Sequence, residues 1–121
     1  MGFRELVKKV QDYSGFTISE SKDALEHMVE SLAVHLAERE RKDFASQLPQ
    51  RLKDIALTVY ATEQNSRQDI IEQFMENQRI NRQRAKRQIQ AAWQALKSGL
   101  SAGQINHVRA QLSKQMVRFL H

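Results

Sequence analysis

The chain carries one apolar pattern twice, and the two copies align without a gap at an offset of 64 positions. Leu6 falls on Ile70, Val7 on Ile71, Val10 on Phe74 and Phe16 on Ile80. Leu25, Val29, Leu32 and Leu36 fall on Ile89, Trp93, Leu96 and Leu100, and Phe44, Leu48, Leu52 and Ile55 fall on Val108, Leu112, Met116 and Phe119. Exact identities are few, so the halves share a core pattern rather than a text, which is the form of an old structural repeat. Whatever one half folds into, the other must fold into as well.

Within each half the apolar spacing is helical. Phe3, Leu6, Val7 and Val10 predict a short first helix, and Thr17 with Glu20 has the spacing of a capping box that opens a longer second one. Leu25, Met28, Val29, Leu32 and Leu36 form its stripe. A charged third helix is expected from about Glu38 to Leu48, and Pro49 suits the first position of a fourth. The second half repeats the plan. Ser66 with Asp69 reads as a capping box before Ile70, Asn81 as the N-cap of the next long helix, and Ser101 with Gln104 as the cap of the one after. Four Gly and one Pro in 121 residues are too few turn formers for an all-β chain. The expected fold is therefore all-α: two tandem four-helix repeats over 1–61 and 67–121, joined by a polar linker at 62–66. About 55 residues make a thin core alone, so the halves are expected to pack together.

The strings "ERKDFASQLPQRLKDI" and "LSAGQINHVRAQLSKQM" resemble the two repeats of domain-of-unknown-function family 2267, small all-helical prokaryotic proteins. The resemblance spans nearly the whole chain. The chain departs from the family pattern at Ser113, where the second repeat commonly has Pro. The resemblance implies the fold and carries no established activity. On the residues themselves, the Gln-Leu corner is a packing device: Leu48 and Leu112 close the core at a helix end, and Gln47 and Gln111 can satisfy backbone groups left free there.

Catalytic signals are weak. With no Cys there is no disulfide and no thiolate. His27 and His35 lie about 80° apart around one helix, and with His107 and His121 they complete no metal or triad spacing. The glycines around "LSA" lack the lysine of a phosphate loop. Glu20, Asp23, Glu26 and Glu30 make an acidic face on the second helix, whereas a general acid needs a desolvated pocket. No catalytic, cofactor or metal residue is assigned, and no small-molecule substrate is evident. The N-terminus has no signal-peptide core and no apolar run approaches the roughly 18 residues of a membrane span, so a cytoplasmic protein without a membrane partner is expected.

Charge is more informative. The formal net charge is +5, yet no Asp or Glu occurs from Asn77 to His121. Arg79, Arg82, Arg84, Lys86 and Arg87 open that acid-free half, and taking the Ile89/Leu96 stripe as inward turns Arg84 and Arg87 outward with Gln83, Gln90 and Gln94. Such a surface can hold a polyanion through its phosphates. No aromatic is interleaved with these charges, so base stacking is not expected from this half. Glu20 aligns with Arg84 and Asp23 with Arg87, which leaves two ways to use the opposition. The faces can pair across an internal interface, or they can join separate molecules head to tail, with Val34 as an apolar contributor. The expected function is a non-catalytic interaction module for a protein partner or for itself, with nucleic-acid binding through the basic half as the alternative.

Overall fold

The computed structural model describes residues 2–59 and 68–120. The expected linker and Ser66 lie outside that range. The described residues form eight helices and no strand: α1 (Phe3–Ser14), α2 (Ile18–Val34), α3 (Glu38–Ser46), α4 (Gln50–Thr58), α5 (Ile70–Gln78), α6 (Arg82–Lys97), α7 (Ala102–Ala110) and α8 (Lys114–Val117). The starts of α2, α3 and α4 recur 64 positions later as those of α6, α7 and α8.

Local chemistry explains these boundaries. Thr17 and Glu20 complete the capping box at the start of α2, each side chain bonding the other's backbone N–H. The Asn81 side chain accepts from the Arg84 N–H at the start of α6, and Ser101 from Gln104 at the start of α7. At α5 the cap is Asp69, which accepts from the Glu72 N–H at 2.9 Å. Asp69 is therefore the N-cap of α5 and not the third residue of a box opened at Ser66. Pro49 also sits one position earlier than expected, as the N-cap of α4 with extended ψ of 155°. Ser113 holds the same place before α8 and does what Pro cannot, accepting from the Met116 N–H at 3.2 Å. The departure from the family pattern thus leaves the start of the last helix in register.

α1 and α5 both end on a left-handed residue, Gly15 at φ 76° and Arg79 at φ 53°. These positions correspond at the offset of 64. Glycine adopts that conformation freely, whereas arginine carries a Cβ that makes it costly.

One apolar cluster runs through both halves, from Leu6, Leu25, Phe44 and Leu52 to Ile71, Ile89, Trp93 and Val108. The long helices α2 and α6 pack on each other, α1 lies mainly on α6, α5 touches α2, and α3 meets α7. Each half therefore completes the other's core, as its size requires. α3 ends at Ser46, two residues short of the expected Leu48, because Gln47 turns away from the helix as its C-cap. The Gln47 amide then reaches the other half. Its Oε1 accepts from the Ser101 N–H at 2.8 Å and its Nε2 donates to the Ser101 hydroxyl at 3.2 Å. A backbone donor left over at the start of α7 is satisfied there, while Leu48 and Leu112 are buried beside their helix ends.

Candidate functional site

At 100° per residue, Ala85, Ile89, Ala92, Trp93 and Leu96 of α6 face the core. Lys86, Gln83 and Arg87 are exposed along an outer arc, with half-buried Gln90 and Gln94 between them. Arg82 shares the angle of Ile89 and Trp93 but is exposed, because it stands at the first position of the helix. Arg84 departs from the outward direction expected of it. It points toward the start of α2, half-buried, and makes an ion pair with Glu20. Of the two opposed pairs, Glu20 and Arg84 meet across the internal interface, whereas Asp23 and Arg87 are exposed.

Phe16 organises the same corner. The Arg84 guanidinium lies 5.4 Å and that of Arg87 5.2 Å from its ring centre, and Arg87 also donates to the Ser14 carbonyl at 3.4 Å. A cation over an aromatic face is held without losing its charge. Arg82 sits likewise 5.8 Å from the Phe119 ring, which brings the tail carrying Arg118 to the N-terminal end of α6. Arg79 and Lys86 are exposed. Arg79, Arg82, Lys86, Arg87, Arg109, Lys114 and Arg118 have no carboxylate partner among the described residues.

The fold also supplies what the basic half lacks in sequence. Tyr13, on α1 and 56% exposed, lines an open groove with Ser14, Arg87, Gln90, Ala91 and Gln94. The groove holds about 360 Å³. No linear scan finds this juxtaposition, because Tyr13 and Arg87 belong to different halves. Helical angles place Tyr13 about 20° from Leu6, at the edge of the α1 stripe, so no sequence signal marks its exposure.

The acidic face is divided. Glu20 pairs with Arg84, and Glu26 pairs with Arg51 of α4 at 2.7 Å, while Asp23 and Glu30 remain exposed. Val34, expected on that outer face, is buried at 6% exposure and lines a small cavity with Gln73 and Asn77 of α5. It lies at the last turn of α2, where α5 covers it.

Among the histidines, His27 is half-buried and edge-on to Phe74, with ring centroids 6.1 Å apart. His35 is the C-cap of α2. Burial lowers its pKa from the ordinary value, while a hydrogen bond with Gln73, one with the Gln68 backbone and the charge of Asp69 act in the opposite sense. The Asp69 carboxylate is already committed to capping α5. The polar cavity in this region, lined by Glu30, Ser31, Gln68, Gln73 and Asn77, holds about 90 Å³. Ligand pockets generally need about 300 Å³ or more. No group of three or more His, Cys, Asp or Glu among the described residues could hold a metal ion. No helix among them is long and apolar enough to cross a membrane.

No curated protein and no solved structure matches the chain. A family model does, over residues 3–119, and its description is an uncharacterized conserved protein. With all eight helices inside that span, the chain belongs to domain-of-unknown-function family 2267 (DUF2267).

Proposed function

We propose that this chain is a non-catalytic binding module whose partner is a single-stranded nucleic acid, held across the outer arc of α6. We further infer that it arose by internal duplication, its halves related by an approximate two-fold axis between α2 and α6. The pairing of Glu20 with Arg84, each the counterpart of the other at the offset of 64, supports the duplication, because only residues beside such an axis meet their own equivalents.

One observation carries the binding function: exposed Arg87 lines a groove with exposed Tyr13, and three further exposed cations without carboxylate partners, Arg79, Arg82 and Lys86, lie on or just before the same helix. Cations without internal carboxylate partners attract a phosphate backbone at no cost in broken ion pairs. An exposed tyrosine gives a base a face to stack on, which duplex cannot use and a single strand can. Gln83, Gln90 and Gln94 add neutral donors and acceptors along the same path. Head-to-tail self-association is less favoured. Two of the four carboxylates it would draw on, Glu20 and Glu26, are engaged within the molecule.

Fluorescence anisotropy with a labelled single-stranded RNA tests this. Arg82→Glu with Lys86→Glu is expected to abolish binding while the protein stays folded, the lost Arg82–Phe119 contact costing no more than about 1 kcal/mol at so exposed a site. Arg84 is unsuitable for the test, because a glutamate there would face Glu20 and destabilise the fold. Tyr13→Ala is expected to weaken single-strand binding and leave any duplex binding unaltered. Unchanged affinity in the double variant would exclude a site at this position.

A further inference from the structure

A second surface stands apart from α6, in the half whose charges nearly cancel. An open groove of about 670 Å³ runs between α1, the start of α2 and α4. Its apolar lining is Phe3, Val7 and Ile18, and its cations are Arg4, Lys8, Lys22 and Arg51, with Asp12 as the one acid. Ile18 is 57% exposed at the first position of α2, where it contributes little to the core. Arg51 is fixed on two sides, by Glu26 at 2.7 Å and by the Phe3 ring at 5.2 Å. It forms a set wall of the groove.

The other three cations are not so engaged. Arg4, Lys8 and Lys22 are exposed and have no carboxylate partner among the described residues. α1 and α2 are joined by three residues and pack together as a hairpin, so their sequences run in opposite directions along the shared groove. Ile18 then lies toward the Asp12 end and Lys22 across from Lys8. Arg4 follows one turn further along the Lys8 row, at the end where Phe3 carries Arg51. Arg4, Lys8 and Lys22 lie around an apolar floor, and the one acid of the lining, Asp12, stands one turn beyond Lys8. That is an uncompensated field beside a surface that gains by losing water.

We propose that this groove binds a small amphipathic carboxylate of the fatty-acid type, its head between Arg4, Lys8 and Lys22 and its chain over Val7 toward Ile18. The volume lies within the range of ordinary ligand sites. Two features select such a ligand over an uncharged one: the apolar floor is short, and every cation beside it other than Arg51 lacks an acid. Asp12 orients it, since a carboxylate at that end would be repelled. The site shares no residue with the α6 arc, so its failure and that of the nucleic-acid site are separately visible.

The test is a titration of ¹⁵N-labelled full-length protein with decanoate below its micellar concentration, with decanol and decyltrimethylammonium as neutral and cationic counterparts. The expected result is a saturable set of amide shifts confined to α1, Ile18 to Lys22 and the Arg51 region, obtained with decanoate alone. Lys8→Gln with Lys22→Gln is expected to weaken binding by about tenfold or more, the factor carried by a charge-assisted hydrogen bond. Ile18→Asn is expected to weaken it as well, with the melting temperature held in both variants. Shifts absent, spread over the whole surface or equal for all three amphiphiles would overturn the proposal. Binding only to anionic vesicles, with none to monomeric decanoate, would overturn it too, and would assign the surface to a membrane.

Discussion

Arg79 is the most informative single residue. Its φ of 53° is what its counterpart Gly15 adopts without cost. The left-handed region costs an L-residue roughly 1–2 kcal/mol, partly offset because glycine is more flexible when unfolded. Arg79→Gly is therefore expected to raise stability by up to about 1 kcal/mol in denaturant titrations and, in the same protein, to weaken RNA binding. A gain in stability with no loss of affinity would separate Arg79 from the site. Gly15→Ala is expected to do the reverse in stability. Nothing crowds the position, so only the backbone is strained. His35 sets a pH response at the same scale. Its folded pKa is lowered by burial, so below the ordinary histidine value of 6.5 the unfolded chain holds more protons than the folded one. Stability is expected to fall as pH drops through about 6.5 and on toward the lower folded value, and His35→Gln is expected to flatten that slope.

At the scale of the helices, Glu20 does two jobs that substitution can separate. It closes the capping box of α2 and it pairs with Arg84. Thr17→Ala removes the side-chain acceptor for the Glu20 N–H and is expected to cost about 1 kcal/mol. Glu20→Gln keeps an acceptor for the Thr17 N–H and loses only the ion pair. With both partners about a third exposed, its cost is expected to stay below about 1 kcal/mol. Thermal unfolding of the two variants distinguishes them. The helices themselves were legible in sequence because their determinants are local: apolar spacing, Thr17, Asn81 and Ser101 all act within one or two turns. Directions of long side chains were not. Arg84 was read outward from helical angles alone, but an arginine reaches several ångströms and turns toward Glu20, which sequence separates from it by 64 positions.

For the molecule as a whole, charge averaging hid one surface and chain order hid another. The first half reads as nearly neutral, yet Glu20 and Glu26 are drawn into contacts between helices, leaving Arg4, Lys8 and Lys22 around an apolar groove. The second half reads as basic with no aromatic interleaved among its charges, yet α1 packs on α6 and brings Tyr13 alongside Arg87. The second depends on packing across the halves and the first on contacts between helices distant in sequence, neither of which a local pattern encodes. The shared core also predicts how the chain unfolds. Trp93 is fully buried, so Trp93→Ala is expected to cost about 3–5 kcal/mol and to lower both halves together in one transition by circular dichroism.

The most direct test of the α6 site is the salt dependence of RNA affinity, measured by anisotropy from low to physiological salt. A log–log slope of about −0.7 per phosphate neutralised is expected for a single strand, with several phosphates engaged. Lys86→Gln is expected to reduce the slope by roughly the share of one contact. No binding at low salt, or a slope that Lys86→Gln leaves unchanged, would contradict a polyanion site on the outer arc of α6.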